Sequence, residues 1–284
     1  MITIRQQICN DCGICLTAVG GYCIERVDGR LRIDQGICNE CLRCVSICPK
    51  QVFELNDKEP SKATRLQVSE AGFLQLVRSR RSVKAYKETA IPRDILWKIA
   101  EVSKYAPSMN KKIAVVIIDD QTLIREVDAE AIKVIRRWYF VLFGNRLITR
   151  FFQLFSKTLP TIKKKMERDL VVRKRIIKDN TQALILVYGN KRIPVTESSG
   201  QHYLSVMGYY AHVLGVGTTL MDSLKLTLNR SKRMRNRLGI PAGESVLGVL
   251  SLGYAKERFV NVPEGIQINI DWNCVQSSRS YETE

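Results

Sequence analysis

The sequence has 284 residues, 45% of them hydrophobic, which is enough for a small module plus one full core domain and too apolar for a disordered chain. Forty-five Lys and Arg stand against 28 Asp and Glu, a formal net charge of +17. Fourteen cations and two acids between Ala131 and Lys178 account for +12 of that charge, and a charge so localised, without any nucleic-acid motif, argues against a nucleic-acid binder. The start, Met1 to Gln7, is short and polar, and no apolar run exceeds seven residues, as at Trp138 to Gly144, against the ~20 a spanning helix needs. The expectation is a cytoplasmic protein, in keeping with its clustered thiols.

Eight of the nine cysteines lie between Cys9 and Cys48. The first half reads C-x-x-C-x-x-C (Cys9, Cys12, Cys15), followed by Cys23 after the stretch Leu16 to Tyr22, read as a long loop. The second reads C-x-x-C-x-x-C-x-x-x-C-P (Cys38, Cys41, Cys44, Cys48, Pro49). The latter is the bacterial 4Fe-4S spacing, in which the fourth cysteine ligates the other cluster. Three thiolates on a tight loop can cap three irons of one cubane, so the fourth iron needs a thiolate from elsewhere. The expected ligand sets are Cys9, Cys12, Cys15 and Cys48 for one [4Fe-4S] cluster and Cys38, Cys41, Cys44 and Cys23 for the other. Ile8-Cys9-Asn10-Asp11-Cys12 returns as Ile37-Cys38-Asn39-Glu40-Cys41, twenty-nine residues on, as two copies of one small unit would. A disulfide framework or zinc sites are the competing readings, but neither calls for the third cysteine or the trailing proline. This region resembles the two-cluster bacterial ferredoxins. It departs from them in that Ile24, not proline, follows Cys23.

Val52, Phe53 and Leu55 close that unit, and the charged run to Ser69 reads as a linker. Glu70 to Arg80 is a predicted helix carrying Phe73, Leu74 and Val77, and it empties into the basic run Arg80-Arg81-Ser82-Val83-Lys84. Pro92 to Lys104 is a second amphipathic helix, with Pro92 in its first turn. Ile113 to Ile118 and Ala183 to Tyr188 read as buried strands, Glu197 to Leu214 as a helix ending in Gly215-Val216-Gly217-Thr218-Thr219, and Ser245 to Tyr254 as another strand. Ile266 to Trp272 alternates like a half-buried strand. Helices and strands are mixed, so the domain is α+β. The predicted division is 1–56 a two-[4Fe-4S] ferredoxin-like domain, 57–69 a linker, and 70–284 an α+β domain with a basic amphipathic insert at 131–178.

Five landmarks carry a second resemblance. Arg80-Arg81-Ser82-Val83-Lys84, Tyr105-Ala106-Pro107-Ser108-Met109-Asn110, Leu214-Gly215-Val216-Gly217-Thr218, Leu238-Gly239-Ile240-Pro241 and Leu252-Gly253-Tyr254 look like the ordered landmarks of the FMN-dependent nitroreductase family. The resemblance implies a nitroreductase-like domain behind the ferredoxin unit, binding FMN. Phosphate recognition calls for guanidinium groups, and reduction of the ring calls for a cation near its pyrimidine edge. In the family, positions matching Arg80, Arg81 and Ser82 bind phosphate and ribityl chain, Lys84 lies near the ring, and Asn110 bonds the flavin edge. Gly217 and Thr218 belong to the same expected site. Two departures stand out: only Met109 separates Ser108 from Asn110, and Pro263 is followed by Glu264-Gly265-Ile266 where the family often has a cation. Lys256 and Arg258 are the candidate replacements.

The combined expectation is an iron-sulfur flavoprotein oxidoreductase, relaying electrons from a low-potential donor such as reduced ferredoxin through two clusters to FMN. A small acceptor follows, either a nitroaromatic, a quinone or an activated alkene. The alternative is a non-enzymatic electron-transfer subunit handing electrons to a protein partner. The resemblance implies a homodimer with FMN at the subunit interface. No G-x-G-x-x-G dinucleotide unit is present, and no residue is assigned as catalytic. His202 and His212 lie on one helix but not on one face, and read as packing or surface residues; Cys274 reads as a free thiol. Within 131–178, Asn145 to Leu159 forms an amphipathic pattern with Leu147, Ile148, Phe151, Phe152 and Phe155 on one side. It reads either as a lid or packing insert, or as a peripheral membrane contact.

Overall fold

A computed structural model of the chain describes residues 1–19, 21–108, 112–145, 158–266 and 268. The expected helix over 145–159 falls almost wholly outside the described residues, as do Asn110, Cys274 and most of the expected strand 266–272.

The N-terminal unit closes on itself. Strand β1 (Ile2–Ile4) pairs antiparallel with β4 (Phe53–Leu55), Ile2 opposite Leu55 and Ile4 opposite Phe53. Between them lie α1 (Ile14–Val19), the hairpin β2 (Ile24–Val27) and β3 (Arg30–Ile33), and α2 (Arg43–Ile47). Helices α1 and α2 begin at the same twenty-nine-residue offset as the cysteine repeat. The stretch Leu16 to Tyr22, expected as loop, is therefore helical as far as Val19. Asp28 and Gly29 join the hairpin with φ of 50° and 73°, the two positive angles that a two-residue type I′ turn requires. Ile2, Ile24, Leu31, Val52 and Phe53 form the core together with Cys15 and Cys44. Residues 57–60, expected as linker, stay with this unit: Arg5 pairs with Glu59, and Gln51 Nε2 donates to the Pro60 carbonyl.

The second unit is built on a four-stranded antiparallel sheet in the order β5 (Ile113–Ile118), β6 (Ala183–Gly189), β8 (Ser245–Gly253), β7 (Gly217–Leu220). Side chains alternate along β6: Leu184 and Leu186 join one core, Ala183, Ile185 and Val187 the other. Both faces are covered, which is why the sequence there is continuously apolar. Strand β5, expected to be buried, lies at the sheet edge and is half-buried from Ile113 to Ile117.

One face carries α4 (Arg93–Glu101) and α7 (Thr196–Val213). The expected helix to Lys104 ends at Glu101 and tightens into a 3-10 turn over Val102–Tyr105. The other face carries α5 (Gln121–Phe143), α8 (Asp222–Arg230) and α9 (Lys232–Arg237), with α6 (Leu159–Glu167) against α5. Helix α5 starts ten residues before the expected insert and buries Ile124, Val127, Ala131 and Val134, so 131 is no boundary; the basic stretch grows out of a core helix. Asp120 caps α5 by accepting from the amides of Thr122 and Leu123. Helix α3 (Glu70–Ser79), capped by Ser69, buries none of its residues, and leaves Phe73 and Leu74 60% and 50% exposed.

Candidate functional site

The segment after α3 is extended and acts as a short additional strand on β7. Ser82 forms a parallel bridge with Thr218, the Val83 amide donates to the Thr218 carbonyl at 3.0 Å, and Thr219 Oγ1 donates to the Val83 carbonyl. Downstream, Tyr86 is fully buried with its hydroxyl against Ser251 Oγ at 2.9 Å, and the Lys87 amide donates to Tyr254 at 2.8 Å. The segment is thus pinned to the sheet at Ser82 and Val83 and again at Tyr86 and Lys87, and Gly217 lets Val83 approach where any side chain would collide.

Two cavities flank this run and share Arg80 and Thr218. One, of about 190 Å³, is lined by Ser79, Arg80, Arg81, His212, Gly217 and Thr218 among others. The other, of about 160 Å³, is lined by Arg80, Ser82, Ser205, Tyr209, Thr218 and Leu220 among others. Five of the expected residues (Arg80, Arg81, Ser82, Gly217, Thr218) are brought together here. Lys84 is not: it lines a separate cavity of about 260 Å³ with Arg175, Lys178 and Asp179. The 190 Å³ cavity takes Ala255 and Phe259 from the C-terminal stretch, and neither Lys256 nor Arg258 is among its lining residues. Asn110 lies outside the described residues.

The structure adds residues the sequence reading left aside. His212, in the last turn of α7, has its Nε2 2.9 Å from Ser79 Oγ. Burial, and then the charge of Arg80, lower its pKa, so the neutral ring is favoured. The Arg80 guanidinium stands 6.0 Å over the ring of Tyr209. A polar residue one turn before the Gly-x-Gly run was the available signal for His212.

The cysteines form two groups. Cys9, Cys12, Cys15 and Cys48 line one cavity with Pro49. Cys38, Cys41 and Cys23 are close enough to Cys44 for their charges to raise its pKa, after the larger effect of burial, to about 11. In the first group burial raises Cys15, with Cys48 and Cys9 adding to it. All eight are free thiols. Among the described residues no three or more His, Cys, Asp or Glu side chains are drawn together as the ligands of a single ion would be.

Comparison with known proteins bears on the second unit. The sequence pattern of the Nitroreductase family matches residues 77–254. Among solved structures, a nitroreductase with bound FMN from Desulfitobacterium hafniense is 18% identical at a TM-score of 0.54, over 70% of this chain and 97% of that one. Another with bound FMN, from Bacteroides fragilis, is 19% identical at a TM-score of 0.50, over 70% and 98%. An FMN-dependent nitroreductase from Clostridium difficile is 14% identical at 0.50, over 72% and 100%. These likenesses establish an α+β fold of the nitroreductase type. No curated protein matches the chain.

Proposed function

The chain belongs to the nitroreductase family, and from that premise we propose that it is an iron-sulfur flavoprotein oxidoreductase, carrying electrons from a low-potential donor through two [4Fe-4S] clusters to FMN and on to a small acceptor. The observation that carries the reading is the convergence of two sets of four free cysteines in a chain that also holds a nitroreductase-type domain.

The donor sets fit cubanes. One thiol of each set, Cys15 and Cys44, is buried beside the others, a placement that disfavours its thiolate alone and that iron's positive charge would favour. In such a cluster each of the four thiolates binds a different iron. Cys9, Cys12, Cys15 and Cys48 would hold one cluster and Cys23, Cys38, Cys41 and Cys44 the other.

FMN fits the paired cavities through Arg80 and Arg81, which offer guanidinium forks to a phosphate, with Ser82, Gly217 and Thr218 bordering them. When bound it interconverts one-electron and hydride chemistry, and the protein supplies position and electrostatics. Neutral His212 can donate or accept one hydrogen bond there without adding a second charge beside Arg80. A role for Lys84 beside the ring would need a different path from that of Arg80, since it opens on another cavity.

A homodimer completes the proposal. Leu220 borders the Arg80 cavity at 49% exposure, and Phe73 on α3 and Val213 on α7 are 60% and 61% exposed, so apolar surface flanks the site. Reduced ferredoxin or a similar protein is the proposed donor, and a nitroaromatic, quinone or activated alkene the acceptor.

The test is anaerobic purification with iron, sulfide and flavin quantified per chain. About eight irons, eight sulfides and one FMN are expected. Flavin without iron would remove the relay, and iron without flavin would remove the reductase.

A further inference from the structure

Trp138 to Phe143 are six consecutive apolar side chains at the end of α5. A helix turns once in 3.6 residues, so six in succession surround it, and one core cannot cover them all. Tyr139 is held by its hydroxyl, which donates to Glu167 at 2.8 Å. Phe140 and Val141 remain 64% and 59% exposed. Between α5, α6 and α8 an apolar cavity of about 330 Å³ opens, lined by Trp138, Leu142, Ile162, Met166 and Leu226 among others. Val171 and Val172, just beyond α6, are 69% and 75% exposed.

Cations border this surface. Arg230 stands 4.7 Å over the ring of Trp138, and Lys163 5.9 Å over that of Phe143. Arg136, Arg137, Lys164 and Lys165 are exposed. Glu167, one of the two acids in 131–178, is already engaged by Tyr139 and, at 3.8 Å, by Lys163.

We propose that this face docks on an anionic lipid bilayer. Aromatic and aliphatic side chains seat at the acyl boundary while Lys and Arg meet anionic head groups. An anionic bilayer offers both chemistries at one surface, acyl chains for the outward-facing Phe140 and Val141 and head groups for the exposed Arg136, Arg137, Lys164 and Lys165. Among the described residues no helix is long and apolar enough to cross a membrane, so the contact is peripheral. The proposal is independent of the cofactors.

The test is flotation of the full-length protein with vesicles of phosphatidylcholine alone or mixed with phosphatidylglycerol, at low and high salt. Flotation with the anionic vesicles only, reduced about tenfold or more by salt, is expected. Phe140→Asp combined with Val141→Asp should abolish it while flavin content and melting temperature hold. Should that pair not fold, Arg136→Glu with Arg137→Glu, at two exposed positions, should give the same loss. Absence of flotation at any salt overturns the proposal. So does flotation unchanged in both variants. Sedimentation velocity showing that the Phe140/Val141 pair alters only the oligomeric state would assign the face to contact between copies, and also overturns it.

Discussion

Val83 lies against Gly217 so closely that a Cβ on that glycine would stand 2.5 Å from Val83 Cγ2 and 2.9 Å from Val83 Cβ. Neither atom is the free end of a long side chain, and Val83 is fixed by the hydrogen bond that its amide donates to the Thr218 carbonyl. Gly217→Ala should therefore push the basic run off β7, destabilising the fold by about 1–3 kcal/mol as overpacking does. Flavin retention should fall in parallel, because Arg80, Arg81 and Ser82 ride on the same segment. Thermal melts and flavin absorbance after gel filtration check both; an unchanged melt would mean that Val83 can yield.

Cys48 shares its cavity with Cys9, Cys12 and Cys15, although in sequence it follows Cys44. Cys48→Ser should perturb the cluster proposed for that cavity and spare the one proposed for Cys23, Cys38, Cys41 and Cys44. Iron content would drop from about eight towards four, and electron paramagnetic resonance of the reduced protein would keep the signal that Cys44→Ser removes. Identical spectra from the two variants would contradict separate ligand sets.

Asp128 Oδ1 accepts from the amides of Ile176 and Ile177 at 2.7 and 2.8 Å, tying the end of the basic stretch to α5. Burial raises its carboxyl pKa, although the two amides oppose the rise. A raised carboxyl contributes stability that is present below its unfolded value of about 3.9 and lost as pH rises through the folded one. At neutral pH the charge is thus a burden, while the acceptor is needed. Asp128→Asn should be neutral or slightly stabilising at pH 7, and Asp128→Ala should cost about 1–3 kcal/mol by stranding two amides. Urea unfolding of the three proteins distinguishes these outcomes.

His212 carries the opposite sign. Its ring is held below the ordinary imidazole value, first by burial and then by Arg80. A base with a depressed pKa contributes stability that is present above about 6.5 and lost as pH falls through the lower folded value. The ring is only partly buried, so the effect is small. The wild-type melting temperature should fall more between pH 7.5 and 5 than that of His212→Gln, which can still bond Ser79. Parallel curves would show that the ring titrates normally.

Part of the grouping of these side chains was legible, for physical reasons specific to each part. Cluster-type cysteine spacing depends on local loop geometry, so Cys9 to Cys15 and Cys38 to Cys48 could be read from the chain alone. Arg80 and Arg81 stand out through the family resemblance, since a basic run leaving a helix can by itself be a solvated turn. Asp28-Gly29 carried an equally local hairpin signal that the reading passed over, taking β2 and β3 with it.

What the sequence by itself determined was local chemistry and period: the strands β5, β6 and β8, the helices α3, α4 and α7, and where thiols and guanidiniums cluster, but not β2, β3, β7, α8 or α9. What covers each face was decided only by the tertiary structure, because period two or 3.6 says that a face is apolar and nothing about its neighbour. The same pattern that buries β6 on both faces leaves β5 at an edge and Phe73 of α3 exposed. Lys84 parts from Arg80 because Ser82 and Val83 are anchored to β7, a pairing across more than 130 residues. His212 meets Ser79 across 133 residues for the same reason. Such contacts depend on strand order, and strand order is settled by the packing of the whole sheet between its two helical layers.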